Sequence, residues 1–344
     1  MIGTRASRSR EDHTAAAGAR GVEVRDAIVQ FPVESALAAR LRRREPLKVT
    51  ALDGVSLSIG PRSSLGIVGE SGCGKSTLAR MLVGLVPLTS GSLVVDGREL
   101  GTDRDKATRR KIQMVFQDPS SSLNPALTVG QTLAELLRAH DLVSPCDVKA
   151  RCHELLDLVG LPSATIDSKP RQLSGGQRQR VGIARALALE PEVLIADEAV
   201  AALDVSVQAL VLNLLAELRQ ELDLALVFIS HDLSVVRHIS EDLLVMYMGR
   251  VVESGPTEEV FKDPRHPYTR ALIAAAPEIH ARKRSGEGAL AGEPPSPLAL
   301  PPGCRFAPRC PLRFDRCGIE DPQLLGDADH QVACLLYCDP IGPA

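Results

Sequence analysis

The apolar positions follow two rhythms that succeed each other along the chain. "VEVRDAIVQF" (Val22 to Phe31) and "VTALDGVSLSI" (Val49 to Ile59) alternate apolar and polar residues, which predicts a β-rich start. Between them lies a basic insert, "AARLRRREPLK", read as a solvated loop. "SSLGIVG" (Ser63 to Gly69) is a short apolar run and predicts a buried strand; "STLARMLVGL" (Ser76 to Leu85) predicts a helix after it. "SGSLVVDGREL" predicts a hairpin with Asp96-Gly97 at the turn, and "IQMVFQ" (Ile112 to Gln117) another buried strand. The pattern then changes. Residues 118–172 begin with Pro and Ser and continue as amphipathic helices, "VGQTLAELLRAH" and "VKARCHELLDLVG". From Leu173 helix and strand alternate again: "QRQRVGIARALAL", "EVLIAD", "VQALVLNLLAELRQEL", "LALVFISH". Such alternation predicts a mostly parallel sheet covered by helices. After about residue 256 Pro, Gly and Cys dominate, and "GEPPSPLALPPG" reads as a stiff, extended linker.

Composition narrows the classes. With 344 residues, 44% hydrophobic, the chain suits one large domain or two smaller ones. A net charge of −3 gives no basic field for nucleic acid, and 3% aromatics without Trp give little for stacking on bases. No run of about 18 apolar residues occurs, so no span across a membrane is predicted. Residues 1–22 are read as a disordered tail; they lack the apolar stretch of a secretory signal.

The strand before Gly69 and the helix after it enclose "GESGCGKST". Gly69, Gly74, Lys75 and Ser76 fit the phosphate-binding loop G-x-x-x-x-G-K-[ST]. Glycines let successive N–H groups turn into one concavity, and the following helix N-terminus favours an anion there. Residues Gly69, Glu70, Ser71, Gly72, Cys73, Gly74, Lys75, Ser76 and Thr77 are therefore the expected phosphate site. Lys75 supplies charge for the β- and γ-phosphates, and Ser76 a hydroxyl for Mg²⁺. Further on, "EVLIADE" ends an apolar strand in Asp197 and Glu198. Asp197 is expected to bind Mg²⁺, directly or through water, and Glu198 to accept a proton from an attacking water.

"LSGGQRQR" (Leu173 to Arg180) offers a second anion site before a long helix. With these two elements the sequence resembles the ATP-binding-cassette (ABC) ATPases. The resemblance implies an α/β fold: a P-loop NTPase cassette with a RecA-like core, an antiparallel β part and a helical subdomain, plus a small Cys-containing C-terminal extension. It implies a head-to-tail dimer in which Leu173, Ser174, Gly175, Gly176 and Gln177 of one chain cap the ATP on the other's phosphate loop. It makes Gln117 the Q-loop residue, which senses the γ-phosphate and Mg²⁺, Asp204 of "AALD" the D-loop residue, and His231 of "VFISHDL" the switch histidine. Phe31 is a candidate for stacking on adenine, with core packing as its alternative. The family usually has Pro, Thr and Ser after the catalytic Glu. "EAVAALD" has Ala199, Val200 and Ala202 there, yet keeps Glu198 and Asp204, so hydrolysis is expected.

Over roughly residues 23–337 the chain is most similar to the ATPases of oligopeptide/dipeptide permeases, on "VGESGCGKST", "QMVFQDPSSSLNP", "MYMGRVVESGP", "HPYTRALIAAAP" and "GEPPSPLALPPGCRFAPRCP". "VMYMGRVVE" and "QMVFQDP" favour the F-type over the D-type subunit. The resemblance implies ATP-driven peptide import at the cytoplasmic face of the membrane, with a second, D-type ATPase, two transmembrane permease subunits and, indirectly, an extracytoplasmic solute-binding protein. The alternative is a soluble ABC ATPase of DNA repair or translation, which the missing basic stripe and missing second cassette oppose. The expected layout is a tail (1–22), a cassette (23–255) with its helical subdomain at about 118–172, and the extension (256–344).

Eight cysteines are spread unevenly, five of them from Cys304 onward. Cys304, Cys310, Cys317 and Cys334 are spaced x5, x6 and x16, without the C-x2-C of a zinc ribbon. In the permease group such cysteines can hold an iron–sulfur cluster; the resemblance thus implies [4Fe–4S], with zinc or buried free thiols as alternatives. Cys73 is read as a small residue tolerated inside the loop, Cys146 and Cys152 as surface or packing residues, and Cys338 as a spare thiol.

Overall fold

The computed structural model describes residues 21–34, 47–101, 104–118, 123–275, 292–293, 295–327 and 329–338. The expected tail therefore lies outside the described residues up to position 20, as does most of the basic insert and the Q-loop stretch 119–122. Val22, the last residue of the expected tail, pairs with Ile59 and Val95.

Among the described residues the strands form two sheets. β1 (Val22–Pro32), β2 (Lys48–Ile59), β4 (Ser90–Val95) and β5 (Arg98–Glu99) form an antiparallel sheet in the order β2-β1-β4-β5. Asp96 (φ 50°) and Gly97 (φ 75°) make the β4–β5 turn, as the Asp-Gly pair predicts. The second sheet holds β3 (Ser64–Val68), β6 (Ile112–Val115), β7 (Val193–Asp197), β8 (Ala225–Ile229), β9 (Asp242–Tyr247) and β10 (Arg250–Pro256), with β11 (Leu325–Asp327) and β12 (His330–Val332). Its order is β11-β12-β10-β9-β3-β8-β7-β6. The strands from β9 to β6 are parallel to their neighbours; β10, β12 and β11 join antiparallel.

Both faces of the parallel part are covered, which is why its strands read as unbroken apolar runs. On β7, Val193 and Ile195 join a core shared with the antiparallel sheet and α1 (Lys75–Leu82). Leu194 and Ala196 point the other way, into a core shared with α3 (Val129–Ala139), α4 (Val148–Leu158), α5 (Gly175–Leu187), α6 (Val205–Glu221) and α7 (Leu233–Ile239). α2 (Lys106–Lys111), α8 (Thr257–Lys262) and α9 (Pro267–Ala275) complete the helices used below. α1 stops at Leu82, short of the predicted Leu85, because Gly84 takes a φ of 81°. The pattern gave the extension no strands; β11 and β12 are three residues each, too short for a period to show.

Candidate functional site

The phosphate loop joins β3 to α1 and is bent by contacts only glycine tolerates. Gly69 (φ 151°) would place a Cβ 2.2 Å from the Met246 carbonyl, and Gly74 (φ 111°) one 2.5 Å from the Ala51 carbonyl. Lys75 is buried and donates to the carbonyls of Gly69 (2.7 Å) and Glu70 (3.0 Å). Cys73 is buried too; burial pushes its thiol up despite the Lys75 charge, so it stays a neutral packing group, as expected.

β7 ends beside this loop because it lies one strand away, beyond β8. Asp197 is 3% exposed and accepts from the Ser76 hydroxyl at 3.2 Å. Burial pushes its carboxyl up, against the Ser76 hydrogen bond and the charges of Arg80 and Lys75. These two oxygens suit Mg²⁺, a hard ion that takes few protein ligands and completes its shell with water and phosphate. Glu198 follows at φ 46°, a left-handed conformation unusual for this residue type, pinned by its N–H to the Ile229 carbonyl at 2.9 Å. The Gln117 amide donates to its Oε2 at 2.6 Å, and His231 Nδ1 lies 3.4 Å from its Oε1. The structure thus brings Gln117, Glu198 and His231 together, across 81 and 33 residues of sequence. Lys75, Ser76, Thr77, Gln117 and Glu198 line one cavity of about 310 Å³. Residues the sequence did not single out also line it: Val49, Thr50 and Ala51 of β2, Met248, Gly249 and Pro297. Phe31, on β1, pairs with Val49 of β2 and is 41% exposed.

"EAVAALD" keeps its turn without the usual hydroxyls. Ala201 N–H bonds the Glu198 carbonyl (3.1 Å) and Leu203 N–H the Val200 carbonyl (3.1 Å), while Ala199 and Val200 are buried. Asp204 caps α6, accepting from Val207 N–H (3.0 Å) and the Ser206 hydroxyl (2.7 Å). Ser174 caps α5 reciprocally with Gln177. Leu173 is buried, and Gly176 lies so close to Val207 that a Cβ would meet it at 2.4 Å. None of residues 173–177 lines the cavity that holds Lys75.

Residues 52–201 match the ABC transporter family model and residues 252–317 that of the oligopeptide/dipeptide transporter C-terminal region. A probable peptide ABC transporter ATP-binding protein of Sinorhizobium fredii is 49% identical, covering 88% of this chain and 86% of that one. The chain belongs to the ABC transporter family. The oligopeptide transport ATP-binding protein OppF of Escherichia coli is 46% identical over 93% of this ABC chain and 97% of its own length. Among solved structures, a post-hydrolysis dimer of the ATP-binding cassette MJ0796 bound to ADP and Pi is 30% identical (TM-score 0.59; 69% of this chain, 98% of that one). The structure of cbiO1 from Clostridium perfringens, part of the ABC transporter complex cbiONQ, is 28% identical (TM-score 0.60; 72% and 92%). As an ABC ATP-binding chain the protein is an ATPase, with ATP and Mg²⁺ as the expected substrate and ion, and its group works with membrane permeases. Among the described residues no helix is long and apolar enough to cross a membrane.

The structure brings the four cysteines singled out in the extension together. Cys304, Cys310, Cys317 and Cys334 line one small cavity with His266 and Phe306. Thiols suit a soft metal, but among the described residues no three His, Cys, Asp or Glu side chains form a group that could hold one. The cavity, about 10 Å³, has room for about one water. Burial pushes the thiols of Cys304, Cys310 and Cys334 up, Cys334 to about 11. Cys338 packs with this group and donates to the Cys334 carbonyl at 3.4 Å, Cys152 is buried under the helical core, and Cys146 is exposed.

Proposed function

We propose that this chain is the F-type ATPase subunit that powers import of dipeptides or oligopeptides at the cytoplasmic face of a membrane. The observation that carries the reading is one chain holding an ABC cassette and, at residues 252–317, the oligopeptide/dipeptide C-terminal region. Two permease subunits, a second ATPase of D type and an extracytoplasmic solute-binding protein complete the proposed machine.

In this reading residues 69–77 hold the triphosphate and Phe31 stacks on adenine. Ser76, Asp197 and Gln117 attend Mg²⁺, whose bound charge neutralises the phosphates. Glu198 takes the proton of the attacking water, and its carboxylate is aimed by Gln117 and faced by His231. Residues 173–177 and Asp204 act on the partner's nucleotide. The proposed parts are the cassette to residue 255, with its helical subdomain at about 118–172, and the extension after it.

Reconstitution with the permease and ATPase subunits encoded beside it tests the reading. ATP hydrolysis stimulated by a peptide-loaded binding protein is expected. Hydrolysis indifferent to peptide, or nucleic acid held by the pure protein, would overturn it. The finer cofactor reading, a [4Fe–4S] cluster, is supported by four cysteines on one cavity, although among the described residues they do not form a group of three placed to hold a metal. Iron and sulfide in anaerobically purified protein would establish it; a preparation with neither iron nor zinc leaves packing thiols.

A further inference from the structure

Glu70, the second residue of the phosphate loop, is held by the C-terminal extension. Its N–H donates to the Tyr268 hydroxyl of α9 at 2.7 Å. Its two carboxylate oxygens accept from the two Nη atoms of Arg309, at 2.7 and 2.9 Å. Its carbonyl accepts from Lys75 Nζ at 3.0 Å. One residue therefore ties the loop lysine to side chains 198 and 239 positions away.

The Arg309 end of the pair is built in. Its side chain is 4% exposed, against 25% for Glu70. It also donates to the Tyr247 hydroxyl at 3.4 Å and lies over the Tyr247 ring, 6.0 Å from its centre. Tyr247 packs against Tyr268 and Phe306, with ring centres 4.7 and 5.3 Å apart. Phe306 leads into the 3₁₀ turn Ala307–Arg309 that carries the guanidinium. A planar fork on a carboxylate, fixed by aromatic packing, is the most directional ion pair a protein makes.

The electrostatics say what the pair is for. A carboxylate inside a loop that receives a triphosphate opposes its ligand unless it is neutralised. Lys75 cannot serve both groups, since its ammonium is turned to the carbonyls of Gly69 and Glu70 and is needed by the phosphates. We propose that Arg309 is a positioning residue for nucleotide binding: it fixes Glu70 and cancels its charge, so that the phosphate loop keeps its shape and its positive field. This rests on the reading of residues 69–77 as the ATP phosphate site.

Full-length variants test it by equilibrium binding of MgATP, and by KM and kcat in the assembled transporter. Arg309→Met leaves Glu70 charged and is expected to weaken MgATP binding about tenfold, with KM rising alike and kcat at saturation changing less than about twofold. The double variant Arg309→Met/Glu70→Gln removes both charges and is expected to bind within about threefold of the parent. Rescue by a second loss is what a purely architectural arginine would not give. Arg309→Lys keeps the charge without the fork, and its expected loss of about threefold serves where Arg309→Met does not fold. Parental affinity in Arg309→Met, or in Arg309→Lys if that is the variant that folds, would overturn the proposal. So would a double variant as weak as the single one. A parent chain that binds no MgATP would overturn the phosphate-site reading itself, and this proposal with it.

Discussion

Glu198 combines an unusual backbone with two side-chain partners. Its left-handed φ of 46° turns the carboxylate toward Gln117 and His231 rather than along the strand end. Glu198→Gln keeps that shape and removes the proton acceptor. We expect MgATP affinity within about threefold of the parent and turnover down at least about a hundredfold. Single-turnover hydrolysis in the reconstituted transporter checks this, and turnover near the parent's would discard Glu198 as the base. Gly74 is the second sharp residue. A methyl there meets the Ala51 carbonyl at 2.5 Å, and backbone cannot swing aside as a side chain can. Gly74→Ala is expected to abolish measurable MgATP binding and to lower stability by about 1–3 kcal/mol, read by nucleotide titration and urea unfolding. Both residues were legible from motif spacing. The φ values and the Ala51 contact were not, because β2 precedes the loop by a full strand and turn.

Elements are joined by one buried acid. Glu253 on β10 is 0% exposed and accepts from Arg265 N–H (2.7 Å), His266 N–H (2.9 Å) and His330 Nε2 (2.8 Å). It ties the start of α9 and the β12 edge to the same strand. Burial pushes neighbouring His266 down to about 3, so it stays neutral and its Nδ1 accepts from Tyr268 N–H at 3.0 Å. Glu253→Ala strands these donors. The expected loss is about 3 kcal/mol, seen as a lower urea midpoint, with weakened MgATP binding because α9 carries Tyr268. A variant as stable as the parent would show that packing alone docks the extension. Sequence gave no hint of Glu253: in "GRVVESGP" it looks like an ordinary polar strand residue.

For the whole molecule, the question is whether residues 173–177 act on this chain's own nucleotide or on a partner's. Ser174 to Gln177 form a capped helix start, yet none of them lines the Lys75 cavity. That fits a site completed by another chain. Ser174→Arg removes a cap worth about 1 kcal/mol and adds bulk on the proposed facing surface. MgATP affinity of the isolated chain is expected to stay within about twofold, while turnover of the assembled transporter falls at least about tenfold. A matching collapse of isolated-chain affinity would place residues 173–177 on their own nucleotide instead. The sheet adds a related point. β12 and β11 cover what would be the open edge at β10, so the extension continues the cassette's sheet instead of hanging from it.

The sequence by itself determined the phosphate loop, the Asp197–Glu198 strand end, the capped helix start at Ser174 and the alternating core, because each depends on neighbours within a few residues. A glycine's freedom, a helix start or a two-faced strand is written locally. Tertiary structure alone decided what converges from afar: Gln117 and His231 on Glu198, Arg309 and Tyr268 on Glu70, and four cysteines around one small cavity. Those contacts depend on strand order and on the path of the extension, and the spacing of residues along a chain does not encode either.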